Sequence, residues 1–282
     1  MGEQVGGTIE DYFTRSQENP ARREKIQARP LPTRKLVIYF TPRSGSSWLT
    51  DLIGQSRHLG AGNEVFNPNF TPQIANGIQA LGRDDYILQV QKWFCSPNGV
   101  FSFEVTAHQL GRLFPDPTPF MDTFNDASCV PLWLIRRDIV AQGVSLAKMV
   151  RTKIAHSPET DGQDDRKLDS GFDYDADEIK RWITHILNAE RRNEALFQDY
   201  GIAPFRLCYE DMMHAGPEAV RRRLAELAQL RDPGWPELTL RHEKLGTSQN
   251  RAYADRFRKD RADLVAKIEA ERAPMLARLQ AI

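Results

Sequence analysis

The chain has 282 residues, enough for one large α/β domain. Its 38 lysines and arginines equal its 38 aspartates and glutamates, which argues against a nucleic-acid-binding protein that relies on bulk positive charge. The cysteines, Cys95, Cys129 and Cys208, are far apart and lack Cys-x-x-Cys or Cys/His spacing, so the sequence predicts neither a disulfide framework nor a metal site. Because the chain starts with polar residues and has no long apolar run, we expect a soluble, cytoplasmic protein without a membrane span.

Residues 1–33 are mostly polar and are interrupted by Pro20, Pro30 and Pro32. We interpret them as an N-terminal arm that packs on the rest of the protein or on a partner subunit, with a short helix around Ile9 to Ser16. One domain over residues 34–282 is expected to follow, because no stretch in it has the composition of a linker.

The first strong pattern is a strand, a small-residue loop and a helix. The continuous apolar run from Leu36 to Phe40 predicts a strand buried on both faces, as in a parallel sheet. A strand that enters a tight loop and then a helix directs unpaired backbone N–H groups and the positive end of the helix dipole at one point, which favours phosphate binding. The lysine of a standard nucleotide P-loop is missing. The candidate anion-binding residues are Arg43, Ser44, Gly45, Ser46, Ser47 and Trp48.

The amino-acid sequence of this loop resembles the first motif of the sulfotransferases that use 3′-phosphoadenylyl sulfate (PAPS). With the downstream segment Asn63-Glu64-Val65-Phe66-Asn67-Pro68, it is similar to the bacterial trehalose 2-sulfotransferase type. The resemblance implies that the loop and Arg43 hold the sulfate and the 5′-phosphate of PAPS, and that Glu64 is the general base. Phe66 and Pro68 are expected to bury Glu64 partly, although an ordinary solvated carboxylate is the alternative. Gly62 stands where this type usually has proline.

The next segments add two further candidate groups. Residues 71–94 show helical spacing broken near Gly82, and the alternation from Val100 to Val105 predicts a second strand. Glu104, where relatives often carry a basic residue, is a second candidate base. His108 follows the end of this strand, where ligand groups cluster in open α/β sheets, but a satisfied polar residue is the simpler interpretation.

The second strong pattern lies in mid-chain. The apolar run from Val130 to Ile135 predicts a strand that ends in two arginines, and Asp138 is a good N-cap for an amphipathic helix. An arginine at the strand end and a serine about two turns into the helix are able to converge on one phosphate. The resemblance implies that Arg137 and Ser145 bind the 3′-phosphate of PAPS.

The remaining chain predicts surface and scaffold elements. Residues 156–175 are charged and form a surface loop, either an acceptor-binding lid or an unstructured insertion. Trp182, in a helix over 179–197, either packs in the core or stacks on adenine. A last strand and a Tyr-Glu-Asp turn occupy 201–212, and helices follow over 217–230 and 262–279, the latter a candidate homodimer contact.

Together these patterns predict an α/β, three-layer fold with a central, mostly parallel sheet. The resemblance implies sulfuryl transfer from PAPS to a hydroxyl of a carbohydrate or glycolipid. No metal is required, because fixed donors are able to neutralise the leaving phosphate. A P-loop-type kinase and a catalytically inactive protein that binds PAPS or its desulfated product PAP are the alternatives; the missing lysine and magnesium carboxylates weigh against the kinase.

Overall fold

The computed structural model describes residues 8–153, 171–231, 234–240 and 247–282. Four strands form one parallel sheet in the order β2-β1-β3-β4. They are β1 (Arg34–Phe40), β2 (Val100–Val105), β3 (Cys129–Ile135) and β4 (Phe205–Cys208). All four carboxyl ends therefore lie at the same edge, and β1 is a central strand between β2 and β3.

Twelve α-helices and one 3₁₀-helix are assigned within the described residues. The 3₁₀-helix is Ile9–Phe13, and the α-helices are α1 (Pro20–Gln27), α2 (Ser46–Ser56), α3 (Thr71–Ile78), α4 (Arg83–Phe94), α5 (Ala107–Leu113), α6 (Thr118–Phe124), α7 (Ile139–Thr152), α8 (Ala176–Asp199), α9 (Tyr209–Ala215), α10 (Pro217–Leu227), α11 (Ser248–Asp260) and α12 (Ala262–Leu276).

Apolar side chains cover both faces of the sheet, which confirms the three-layer α/β prediction. Alternate strand residues such as Tyr39 and Phe103 belong to an aromatic-rich core that α3 to α6 cover. Their neighbours in sequence, such as Ile38, belong to a second core beneath α2 and α10. A parallel strand is apolar on both faces because helices pack against both of them.

The segment from residue 8 to residue 33 packs on the domain. Phe13 and Ile26 are fully buried in the aromatic-rich core. Arg23 makes a two-pronged ion pair with Asp85 of α4, at 2.7 and 2.9 Å. The helix expected around Ile9 to Ser16 is a shorter 3₁₀-helix, since the chain at Thr14 is already extended.

Several predicted boundaries shift by a few residues. The break near Gly82 separates α3 from α4, and α10 and α12 end three residues earlier than the patterns predict. Residues 154–170, which hold most of the expected lid, lie outside the described residues. Trp182 packs with the apolar residues of α7 and α8, as the core interpretation expects.

Candidate active site

The loop between β1 and α2 is a tight turn with two left-handed residues. Arg43 has φ +66° and Gly45 has φ +93°. A Cβ atom at Gly45 would lie 2.4 Å from the ring of Tyr209, so a larger residue cannot occupy this position without displacing the ring. The hydrogen bond that opens α2 runs from the Leu49 N–H to the Gly45 carbonyl, 3.1 Å. The N–H groups that precede Leu49 in α2 have no such partner within the helix.

Side chains from inside the protein hold this loop. Ser44 is fully buried, and its hydroxyl and its N–H both donate to the Thr41 carbonyl, at 2.7 and 3.3 Å, so the predicted ligand-binding N–H of Ser44 is used within the turn. Gln142, buried on α7, donates to the Thr41 hydroxyl at 2.9 Å and to the Pro42 carbonyl at 2.8 Å. The loop is thus fixed before any ligand arrives.

Arg43 and Arg136 give the loop its positive charge. The Nε atom of Arg43 donates to the Ser145 hydroxyl at 3.0 Å, and Arg136 donates to the Arg43 carbonyl at 3.1 Å. Burial and the charge of Arg136 lower the pKa of the Arg43 guanidinium. Arg136 also lies over the ring of Tyr209, at 5.1 Å from its centroid. Two adjacent guanidinium groups with reduced hydration make this turn a favourable place for an anion.

The three predicted ligand-binding residues at the start of α2 have different surroundings. Ser46 is almost buried, and its carbonyl accepts from the Thr50 hydroxyl at 2.9 Å. Trp48 packs against the core beneath α2. Ser47 lines a cavity beside the loop.

Arg137 and Ser145 do not contact the same partner. The Arg137 guanidinium is half-exposed and donates to both oxygens of Asp211, at 3.0 and 2.8 Å, while Ser145 contacts Arg43. The hydrogen bond to Asp211 raises the pKa of Arg137. Both bonds to Asp211 come from the Nη2 atom of Arg137, so a ligand phosphate between Arg137 and Ser145 would bind either beside Asp211 or in its place.

The turn that carries Arg137 is braced by side chains that the sequence did not single out. The Glu210 carboxylate accepts from the N–H groups of Arg137 and Asp138, at 2.9 and 3.1 Å. Arg272 of α12 donates to the carbonyls of Arg136 and Arg137, at 2.7 and 2.8 Å, and pairs with buried Glu190. As predicted, Asp138 caps α7, accepting from the Ala141 N–H at 2.9 Å.

Glu64 lies on the loop after α2 and is half-buried. Its Oε2 atom accepts from the Asn67 amide at 2.8 Å and from the Gln109 amide. The Gln109 carbonyl oxygen accepts from the Thr106 N–H at 2.8 Å, which orients the Gln109 NH₂ group towards Glu64. Both bonds end on Oε2, so Oε1 is the oxygen left to accept a proton. Phe66 lies in the aromatic-rich core. The amides of Asn67 and Gln109 are polar groups in contact with the Glu64 carboxylate.

A cavity of about 1080 Å³ extends from the start of α2 to the acidic residues, and Arg43, Arg137 and Ser145 are not among the residues that line it. Its lining includes Ser47 and Thr50 of α2, together with Glu64 and Glu104. Glu104 is only 4% exposed, and its burial and the nearby Glu64 charge raise its pKa well above the usual value. His108, the third candidate base, does not line this cavity.

Across the described part of the chain, no group of three or more His, Cys, Asp and Glu side chains is placed to hold a metal ion. In the same residues, every helix is too short or too polar to cross a lipid bilayer.

The parallel sheet, the fixed cationic loop after β1 and the adjoining cavity define an α/β enzyme of the P-loop-like type. A family model described as Stf0 sulphotransferase matches residues 35–260. The chain therefore belongs to the Stf0 sulphotransferase family and is a sulfotransferase, which confirms the resemblance and replaces the kinase alternative. A search of curated proteins found no match.

Proposed function

We propose that this sulfotransferase moves a sulfuryl group from PAPS to a hydroxyl of a carbohydrate or glycolipid acceptor. The observation that supports this most is the placement of Ser47 and Glu64 on one cavity. Ser47 belongs to the anion loop and Glu64 is the expected base, so a donor sulfate at the loop and an acceptor hydroxyl in the cavity would meet.

The donor would bind at the loop through its 5′-phosphate and its sulfate. Arg43, the N–H groups from Gly45 to Trp48 and the hydroxyls of Ser46 and Ser47 are the proposed donors. Ser44 contributes by shaping the turn, since its own hydroxyl is bonded to Thr41. A loop already held by Gln142 loses little entropy when it binds the ligand.

The 3′-phosphate would bind at the end of β3. We propose that Arg137 exchanges the Asp211 carboxylate for this phosphate and that Ser145 completes the site. Arg137 and Asp211 are both about half-exposed, and exposed ion pairs of this kind contribute at most about 1 kcal/mol. Breaking the Arg137–Asp211 ion pair therefore costs less free energy than a bidentate contact between Arg137 and the phosphate provides.

In the reaction, Glu64 takes the proton of the acceptor hydroxyl as its oxygen attacks sulfur. The bond between sulfur and the bridging oxygen of the 5′-phosphate breaks, and the electron pair stays on that oxygen as PAP leaves. Arg43 and the loop N–H groups stabilise the charge that develops there. The products are the sulfate ester, PAP and the proton held by Glu64.

A comparison of wild-type protein with the Glu64→Gln variant tests this proposal. PAP affinity, measured by calorimetry, should stay within about twofold, while transfer of labelled sulfate from PAPS to a panel of sugars and lipids should fall by about 10² to 10⁴. Exposed Glu269 on α12 provides the matched control, Glu269→Gln. Near wild-type turnover in Glu64→Gln would indicate that Glu104 or His108 is the general base instead. A wild-type protein that binds ATP but not PAP would refute the proposal that PAPS is the donor.

A further inference from the structure

Glu104 occupies a distinct place on β2. Phe101, Phe103 and Val105 point into the aromatic-rich core, so the alternating residues Ser102 and Glu104 face α2. Ser102 accepts from the Gly62 N–H at 2.9 Å, and the Glu104 N–H donates to the Asn63 carbonyl at 3.2 Å. These bonds hold the loop that carries Glu64 against β2 and bring the two carboxyl side chains into one cavity.

The Glu104 side chain is buried, and one of its two carboxyl oxygens lacks a hydrogen-bond partner. It is 4% exposed, and its Oε2 atom has neither solvent contact nor a partner within the described residues. The Thr50 hydroxyl donates to the Ser46 carbonyl and also lies within hydrogen-bonding reach of the Glu104 carboxyl group, a contact that lowers the pKa of Glu104 less than burial raises it. An isolated carboxylate is very costly to bury, so such a group keeps its proton. Burial and the Glu64 charge, which raise the pKa of Glu104, act in this direction.

The two carboxyl groups therefore have different surroundings. Glu64 accepts from two amides and is suited to the role of a base, whereas the Oε2 atom of Glu104 has no donor and the Thr50 hydroxyl lies beside the same carboxyl group, so protonated Glu104 has an O–H group to donate. The other charged groups on the cavity wall are Asp51, Arg57 and Glu237. Unlike a basic residue at this position, a carboxylic acid offers a hydrogen bond without bringing a positive charge.

We propose that Glu104 is a specificity-determining residue of the acceptor site, whose carboxylic acid donates a hydrogen bond to an uncharged acceptor oxygen beside the hydroxyl that Glu64 deprotonates. The inference rests on the proposed function, because it takes the cavity as the acceptor site. It predicts preference for acceptors with two neighbouring oxygens over analogues that lack the second one.

Infrared difference spectroscopy tests the protonation state without any acceptor. At neutral pH, the wild-type protein should show a carboxylic-acid C=O band that Glu104→Gln removes and Glu64→Gln retains. The absence of this band, or its loss in Glu64→Gln alone, would overturn the proposal.

Kinetics with a matched pair of variants test the hydrogen bond. The probes are trehalose and its monodeoxy analogues, with labelled PAPS as donor. Glu104→Gln keeps an N–H donor of the same shape, whereas Glu104→Leu removes it. For trehalose, Glu104→Leu should raise the KM about tenfold with little change in kcat, and Glu104→Gln should restore it to within about twofold.

The deoxy analogues identify the contact. One analogue should have the same KM with wild-type protein and Glu104→Leu, because it lacks the oxygen that Glu104 binds. The proposal would be overturned if Glu104→Leu and Glu104→Gln raised the KM for trehalose equally. It would also be overturned if Glu104→Leu raised the KM for every deoxy analogue by the same factor. Failure of the proposed function gives a different result: the wild-type protein then binds no PAP or sulfates no sugar, and the infrared band still decides the state of Glu104.

Discussion

Arg43 donates a hydrogen bond of 3.0 Å to Ser145, although 102 positions separate the two residues. The contact joins the loop after β1 to the helix after β3, and these strands are neighbours in the sheet. The sequence suggested that Ser145 belongs with Arg137 at one phosphate. In the structure, the Ser145 hydroxyl contacts Arg43, so the two turns that we propose to bind the donor's phosphates share a side-chain contact.

The Ser145→Ala variant measures this link. Removal of the hydroxyl should lower the affinity for PAP about tenfold and for adenosine 5′-phosphate about threefold, because Ser145 acts both at the 3′-phosphate and through Arg43. Calorimetric titration with the two nucleotides checks this. Thr184→Ala, which removes an exposed hydroxyl on α8, is the control. Unchanged affinity for adenosine 5′-phosphate would show that the Arg43 contact contributes nothing.

The Asp211→Asn variant tests the exchange at Arg137. Without the carboxylate, Arg137 should bind the 3′-phosphate with less competition, and PAP affinity should rise about threefold while affinity for adenosine 5′-phosphate stays the same. Arg137→Ala should reduce PAP affinity to that of adenosine 5′-phosphate. Glu226→Gln, which breaks an exposed pair on α10, serves as control. Equal changes for both nucleotides would contradict this role of Arg137.

Gln109 is expected to act by positioning Glu64. Gln109→Leu removes one of the two amides that contact the carboxylate and also the bond from the Thr106 N–H, so kcat should fall at least about tenfold with PAPS KM nearly unchanged, while the melting temperature should fall no further than in a control that loses another buried glutamine hydrogen bond. Gln91→Leu is a matched control, since Gln91 is also buried but bonds within α4. A parallel fall in stability and kcat would indicate that Gln109 is only structural.

The Arg23–Asp85 pair predicts a pH-dependent stability. Burial raises the pKa of Asp85. The hydrogen bonds from Arg23, the Leu81 N–H and Gln89 together lower it by more than burial raises it, so the pKa of Asp85 lies below the usual value. The folded state therefore binds this proton less readily than the unfolded chain, and the stabilisation is present above about pH 4 and lost as pH falls below it.

Urea denaturation between about pH 7 and about pH 3 checks this dependence. Asp85→Asn should be less stable than wild-type protein at neutral pH, and the difference should shrink towards the acid end. The exposed neighbour provides the control variant, Asp84→Asn. A difference that stays constant with pH would mean that the Asp85 charge makes no contribution.

The sheet was predictable because β1 and β3 are mainly continuous apolar runs, β2 alternates apolar and polar residues, and clear turn residues lie next to these strands. All four strands lie where the patterns place them, and the capping role of Asp138 follows from its position before α7. Local residue types determine these features, since burial on both faces and a free helix end each demand particular side chains.

The site's side-chain contacts were less predictable, because they depend on how separate elements are oriented. Nothing in the local sequence connects Arg137 to Asp211 or Gln142 to the first loop. The role of Gln109 had a partial signal: Thr106 and Gln109 have the spacing of a capping box, which fixes the glutamine amide. The pattern could reveal the orientation of Gln109, but the approach of Glu64 came only from the fold.

Arg272 lies beyond residue 260, where the match to the family model ends. Its guanidinium group nevertheless donates hydrogen bonds to the main-chain carbonyls of Arg136 and Arg137. The main chain of this turn is therefore held by a residue outside the part of the protein that the family model matches. Trimming the chain at that border would remove the clamp, and a fragment so shortened would keep the sheet's apolar strands but lose the shape of the surface on which the nucleotide is proposed to rest.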